Sequence, residues 1–303
     1  MTRVWKLFFF SFLIAFIFLT CRWYFNFARF SYEVTFLLLL ELLSLYFLIK
    51  FFEKKSSSYF YLTLSGIFSG LAFNSYLAGR IFFLLPLVLL FIKLKNKRRG
   101  LLYFLIPFII ITLPLNIYFL KQPDYRFKQQ FFWENPDLNL GQKISFTLEN
   151  IKKIGLMFSF HGDINGRHNY PEKPALNPII GLFFYLGLIY SLMNIKNFYF
   201  LFFIFYFLIS LFPSFLTYPW ENPNMLRTFT VLPAICFFIA QGLIIAIKFL
   251  KQKRVQLFII NYSLLIIILF SSFYEIRTYF KYQKDVFNKA FEVNKSLDKI
   301  IKK

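Results

Sequence analysis

Apolar positions in this chain run on in long blocks, broken by short polar and basic connectors, with no alternation of the strand kind. A helix crossing a membrane needs about 20 such residues, and shorter runs serve where flanking aromatic and basic side chains reach back to the interface. By that rule nine segments qualify: Leu7 to Cys21, Val34 to Phe52, Tyr59 to Leu77, Ile81 to Ile92, Leu101 to Leu120, Ile179 to Met193, Phe198 to Leu216, Phe229 to Leu250 and Leu257 to Phe273. The pattern predicts an all-α integral membrane protein. Residues 1–273 form its polytopic membrane domain, including a long polar loop over 121–178, and residues 274–303 form an amphipathic extracytoplasmic tail. Within the loop, Leu148, Ile151, Ile154, Gly155 and Phe158 fall at mixed three- and four-residue spacings, which predicts a helix over Ile144 to Phe160 lying on the membrane surface. In the tail, Ile276, Phe280, Phe287, Phe291, Leu297 and Ile301 stand among Lys, Asp and Glu, the pattern of an amphipathic helix.

Composition agrees with lipid as the solvent. Hydrophobic residues make up 58% and charged residues 16%, against roughly 25% charged in a soluble domain, and mean hydropathy is +0.57. A soluble globular protein is excluded. The net charge of +21 would point to nucleic acid in a soluble chain. Here the bases sit mainly in short connectors between apolar runs, where they report orientation, and nucleic-acid binding is rejected. Cys21 and Cys236 lie in or beside apolar runs and build neither a disulfide framework nor a thiolate metal site. The run after Arg3 and Lys6 has the length of a signal peptide, yet Phe18-Leu19-Thr20-Cys21-Arg22 offers no small-x-small cleavage site, so it is read as an uncleaved first span.

Nine spans force the connectors onto alternating sides, and the bases divide unequally between them. One side holds Arg3, Lys6, Lys50, Lys54, Lys55, Lys93, Lys95, Lys97, Arg98, Arg99, Lys196, Lys248, Lys251, Lys253 and Arg254. The short connectors opposite hold only Arg22, Arg29, Arg80 and Arg227. The positive-inside rule therefore places the N-terminus in the cytoplasm and the C-terminal tail outside, together with the loop from Lys121 to Pro178. Of the 14 carboxylates, only Glu41 and Glu53 fall away from the outward segments. A functional surface faces out, and the short basic cytoplasmic connectors carry no Gly-rich phosphate cradle for a nucleotide.

The densest polar cluster is His161-Gly162-Asp163-Ile164-Asn165-Gly166-Arg167-His168-Asn169-Tyr170-Pro171-Glu172-Lys173-Pro174, just before the sixth span. It is either a solvated connector rich in turn formers or part of a site. A second outward connector, Tyr218-Pro219-Trp220-Glu221-Asn222-Pro223-Asn224-Met225-Leu226-Arg227, is stiffened by its prolines. Arg227 stands at the membrane boundary, where a guanidinium grips a lipid phosphate with two parallel bonds or simply snorkels. His161, His168 and Asp163 lack the i, i+4 spacing of a helical metal site, so no metal ligand is assigned, although a divalent metal stays open as a cofactor. Glu41, at membrane depth, is either a helix–helix hydrogen-bond partner or a proton or substrate contact.

Several blocks taken together resemble the GT-C superfamily of polytopic glycosyltransferases, in the bacterial branch of protein O-mannosyltransferase-like and aminoarabinose-transferase-like enzymes. They are Trp23 to Phe30, similar to an external turn with an arginine before a long helix; Ser65 to Arg80, a Gly-containing helix ending in Tyr-x-x-x-Arg; Gly162 to Pro171, followed by Gly181 to Leu188; and Glu221 to Arg227. The resemblance spans nearly the whole chain. It lacks the family's acidic motif in the first external loop, because Arg22 to Glu33 contains no Asp and Glu33 is its only acid. The expectation is that N-terminal helices and the catalytic loop of the family pattern are absent from this chain.

The resemblance implies a bacterial cytoplasmic (inner) membrane enzyme that moves a sugar from a polyprenyl-phosphate donor to a lipid, glycan or protein acceptor on the outer face. It implies substrate contacts from Arg227, Glu221, Asn222, Arg29, Arg80, Asn165, Arg167 and His168, with Asp163 the candidate catalytic carboxylate. Two other readings stay open: a non-catalytic membrane partner derived from the family, and a transporter of a lipid-linked glycan. The transporter reading would use intramembrane polar groups such as Glu41.

Overall fold

The protein is described here from a computed structural model, over residues 3–53, 58–94, 97–122, 129–252 and 257–290. Among them the chain is entirely helical apart from loops and one isolated antiparallel bridge, Phe131 to Thr217. The helices are α1 (Arg3–Thr20), α2 (Arg22–Arg29), α3 (Glu33–Glu53), α4 (Tyr59–Ser75), α5 (Gly79–Phe82), α6 (Leu84–Lys93), α7 (Lys97–Lys121), α8 (Leu140–Met157), α9 (Pro178–Met193), α10 (Phe198–Phe215), α11 (Leu232–Gln252), α12 (Leu257–Thr278) and α13 (Lys284–Ala290). Five stretches are long and apolar enough to cross a membrane: Glu33–Glu53, Arg98–Lys121, Phe198–Phe215, Phe229–Gln252 and Tyr262–Ala290. A sixth is obtained if α1 and α2 count as one bent span. The chain is an α-helical, multi-pass membrane protein.

Nine spans are expected from the sequence and, among the described residues, five or six reach span length: Tyr59–Ser75 and Pro178–Met193 are shorter helices of 17 and 16 residues, and three other segments differ for a local reason. The first ends at Thr20, whose hydroxyl donates back to Phe16 O at 2.8 Å; Cys21 is extended, and the axis turns by 63° into α2. The fourth, expected over Ile81 to Ile92, is divided. Extended backbone at Tyr76 closes α4, a four-residue helix follows, and α6 has 10 residues, about 15 Å or half a hydrocarbon core. The last does not stop at Phe273 but runs on to Ala290 through a π-helical turn, Tyr279–Gln283. The described part of the tail thus continues a long helix, and its apolar side is covered in part: Phe287 stacks on Phe30 at 3.6 Å and Tyr279 meets Phe25 at 5.0 Å, whereas Phe280 stays about half exposed. The remaining tail positions, Phe291, Leu297 and Ile301, lie outside the described residues, as do Lys54, Lys55, Lys95, Lys253 and Arg254.

Close backbone approach holds the bundle together. Without a hydrophobic driving force between helices in lipid, small residues that admit a neighbouring backbone matter most. A Cβ on Gly187 of α9 would lie 1.8 Å from Phe238 O, and one on Gly242 of α11 would lie 2.0 Å from Phe183 O. Gly66 of α4 admits α7 in the same way, its Cβ position falling 2.2 Å from Phe104 O. Glu41 of α3 is 1% exposed and accepts from Tyr206 Oη of α10 at 3.3 Å, a helix–helix tie deep in the bundle.

The polar connectors gather at one end. Arg22 beyond α1, Glu33 opening α3, Asn74 closing α4, Gln122 beyond α7, Asn177 before α9, the 217–228 connector and Glu275 of α12 all contribute to contacts or cavities there. At the other end Lys93, closing α6, stands 3.9 Å from the centre of the Phe198 ring that opens α10. The expected surface helix is present as α8, opened by a reciprocal cap between Asn139 and Gln142. It buries Asn150, Ile154 and Met157 and leaves Leu140, Ile144, Leu148 and Ile151 exposed in one stripe, suited to a membrane surface.

Candidate functional site

Two constellations share the polar end. The first is a knot of hydrogen bonds around Asp163, which is 2% exposed. Its Oδ1 accepts from Asn165 N at 2.8 Å; its Oδ2 accepts from Met225 N at 2.8 Å and lies 2.9 Å from His168 Nδ1. Both carboxylate oxygens accept from the polar loops themselves. His168 is in turn flanked by the Phe27 and Tyr32 rings at 5.8 and 6.5 Å. Asn165 and Arg167 are exposed: Asn165 Oδ1 accepts from Arg167 N at 3.0 Å, and Arg167 Nε donates to Ala290 O at 3.2 Å.

Helix α2 grips this knot from below. Trp23 Nε1 donates to Met225 O at 2.9 Å, and Asn26 Nδ2 reaches Arg167 O and His168 O at 3.2 and 3.1 Å. Arg22 is 2% exposed and spends its guanidinium on three elements: Glu275 Oε2 at 3.1 Å, Asn169 Oδ1, and Pro174 O at 2.7 Å. Sequence reasoning treated Arg22 only as one more boundary base and overlooked Glu275. The available signal was a pair of opposite charges, each sitting against the end of an apolar run, a place where a charge is tolerated chiefly with a partner.

Glu221, Asn222 and Arg227 fold beside the knot. Arg227 is 7% exposed and its Nη2 pairs with Glu221 Oε2, while its buried Nη1 has no hydrogen-bond partner among the described residues. Asn222 Nδ2 donates to Asn150 Oδ1, Ser214 O and Thr217 Oγ1 at 3.0, 2.9 and 2.9 Å, which ties the connector to α8 and α10. Arg29 lies apart from all of these, its guanidinium over Phe280 at 5.0 Å and Tyr279 at 5.6 Å. Among the described residues no group of three or more His, Cys, Asp and Glu side chains is placed to hold a metal ion.

The second constellation is a cavity of about 820 Å³ between the ends of α3, α4, α5 and α7. Its charged lining is Glu33 and Arg80; Asn74, Gln122 and Gln130 add polar groups, and Leu226 of the 217–228 connector closes one side. The Arg80 guanidinium stands 4.7 Å from the centre of the Phe119 ring. Asn74 Nδ2 donates to Ile111 O at 2.9 Å, which fixes its orientation. Next to Glu33, burial pushes the Tyr32 phenol up to about 12, with the Arg167 guanidinium pulling it down and the Glu33 carboxylate pushing it up. Tyr32 therefore stays protonated near neutrality, and its hydroxyl donates to Arg167 O at 3.4 Å.

Of the residues singled out in the sequence, the structure brings Asp163, Asn165, Arg167 and His168 together, and pairs Glu221 with Arg227. Only Arg80 of that set lines the large cavity, alongside Glu33, noted in the sequence solely as the lone acid of its loop. The blocks at Trp23 to Phe30, Gly162 to Pro171 and Glu221 to Arg227 meet through the bonds of Trp23, Asn26 and Asp163. No protein-family model, no curated protein and no solved structure matches this chain.

Proposed function

We propose that this chain is a glycosyltransferase acting on the outer face of its membrane, as the resemblance of its sequence blocks implies, and that it takes a sugar from a polyprenyl phosphate in the cavity between Glu33 and Arg80. The observation that carries the reading is the lining of that cavity. One guanidinium and one carboxylate share about 820 Å³ with apolar Phe73, Leu77, Leu115 and Phe119, a lining that suits a substrate with a charged head and a hydrocarbon body.

In the transfer, the hydroxyl oxygen of the acceptor forms a bond to the anomeric carbon of the sugar, and the bond from that carbon to the phosphate oxygen breaks. The Glu33 carboxylate accepts the hydroxyl proton, and the lipid phosphate leaves with the electron pair. Arg80 meets the growing negative charge with paired N–H donors. Arg227, paired with Glu221, follows Leu226 in the chain and holds that wall of the cavity in place. Asp163, by contrast, works by holding the 161–174 and 217–228 segments in register.

The test is turnover of a radiolabelled polyprenyl-phosphate sugar by the purified chain in liposomes of bacterial lipid. Wild-type transfer is expected, with Glu33→Gln and Arg80→Ala each lowering it about 100-fold or more while both variants stay folded. Full transfer by Arg80→Ala sinks the assignment of the cavity. Absence of any transfer by the wild-type chain favours the other reading with support in the geometry, a non-catalytic membrane partner, since Asp163, the carboxylate at the centre of the polar loop blocks, is occupied structurally. A transporter gains nothing from Glu41, which is tied to Tyr206 and lines none of the cavities described here.

A further inference from the structure

A groove on the opposite half of the bundle has no part in the reading above. It lies along one face of α7, where Arg99, Tyr103, Ile106 and Ile110 follow one another at three- and four-residue spacing, and Tyr59 and Thr63 of α4 form its other wall. Its volume is about 630 Å³. The two helices run side by side in the same direction, Tyr59 stacking on Tyr103 at 4.5 Å near one end and Asn74 bonding Ile111 O further along. Ile106 and Ile110 are about half exposed or more. Of the five span-length helices this one is the least enclosed, with 22% of its apolar window inside the protein.

Two features select the occupant. The first is length: from Arg99 to Ile110 the face rises about 16 Å, close to half of a hydrocarbon core of about 30 Å. That is the depth of one leaflet, too short for a crossing helix and suited to an acyl chain. The second is charge. Arg99 stands at the mouth, with no acidic partner among the described residues, and Arg98 precedes it on a neighbouring face. A guanidinium at headgroup depth over an apolar trough complements a phosphate carried on fatty chains.

We propose that this groove is a binding site for one anionic glycerophospholipid of the leaflet on the basic side, its phosphate on Arg99 and an acyl chain along Tyr103, Ile106 and Ile110. Tyr59 and Tyr103, stacked one turn below the arginine, occupy the depth at which aromatic rings favour the interface.

The test is native mass spectrometry of the full chain in mild detergent, titrated with phosphatidylglycerol and with phosphatidylcholine of the same acyl chains. One phosphatidylglycerol is expected to be retained about fivefold more strongly than phosphatidylcholine, and Arg99→Gln to remove that preference. Arg98→Gln, which deletes the same charge beside the groove and outside it, keeps the preference. Ile106→Trp, which fills the trough, abolishes retention of both lipids. All three positions are on the surface, and unchanged thermal unfolding of the variants establishes that they fold. Equal retention of the two lipids by the wild-type chain, or an equal effect of Arg98→Gln and Arg99→Gln, overturns the site in favour of diffuse surface charge. A stable dimer that Ile106→Trp dissociates overturns it in favour of a second copy of the chain.

Discussion

Replacing Arg22 by Met removes the cation from a pair whose side chains are 1% and 5% exposed and leaves the Glu275 carboxylate facing an apolar interior. Breaking one side of a buried pair costs about 3–5 kcal/mol, because the remaining charge has neither water nor partner. Arg22 also donates to Asn169 Oδ1 and Pro174 O, so the loss reaches the polar loop as well as α12. At about 2–4 °C per kcal/mol for chains of 150–250 residues, the melting temperature is expected to fall by roughly 6–20 °C. The free thiols of Cys21 and Cys236 supply the readout: both line the small interior cavity bordered by Glu275, and a thiol-reactive fluorophore labels them as the bundle opens. The double replacement Arg22→Met with Glu275→Leu is expected to return to within about 2 kcal/mol of the wild-type chain, since only the bonds to Asn169 and Pro174 are then missing. If Arg22→Met costs less than about 1 kcal/mol, the magnitude of an exposed pair, or if the two single effects simply add, the buried-pair reasoning fails.

Gly187→Leu or Gly242→Leu would drive a side chain into the backbone of the facing helix, so each is expected to abolish the folded, monodisperse protein on size exclusion, whereas Gly155→Ala, which meets nothing within 4 Å, leaves elution unchanged. Asp163→Ala leaves the amides of Asn165 and Met225 without their acceptor; a loss of about 2–4 kcal/mol in thermal unfolding is expected, along with proteolytic nicking of the 161–174 segment. A cysteine introduced at exposed Ile164 in a chain lacking Cys21 and Cys236 should react with an impermeant maleimide in intact cells, and one at exposed Asn194 only after permeabilisation; the reverse pattern refutes the orientation drawn from the basic connectors.

The helical class and the membrane as solvent were legible in the chain because both rest on length and composition of apolar runs, which need no knowledge of neighbours. So was the helix of the polar loop, from its three- and four-residue spacing, although it opens at Leu140 under the Asn139–Gln142 cap, four residues before the expected start at Ile144, and ends at Met157 rather than Phe160. The meeting of Glu33, Asp163, Glu221 and Glu275 at one end also agrees with the connectors, which set most carboxylates apart from the basic side. The runs read as ending at Cys21 and Leu77 do stop within two residues of the helix ends at Thr20 and Ser75, but the short helix Arg22–Arg29, its 63° bend and the division of Ile81 to Ile92 were not legible, because a count of hydrophobic residues carries no dihedral angles. The last helix outran its apolar run for the opposite reason: Glu275, Thr278 and Gln283 are polar by composition, yet each is at most 4% exposed, enclosed by α2 and the polar loop.

The division holds most clearly in the site. The residue types were visible, and three of the blocks that stood out do converge. What each does depends on distance and on which neighbour accepts its hydrogen bond. Asp163 and Arg227, prominent in the chain, are occupied by Met225, His168 and Glu221, whereas Glu33 and Arg80, separated by two helices in sequence, face one cavity. The sequence by itself determined that this protein is helical and lives in lipid, because hydrophobicity summed over about 20 residues decides that locally. Only the tertiary structure decided which charges are structural ties and which line a space open to a ligand, because a buried charge is defined by the partners that the fold brings to it.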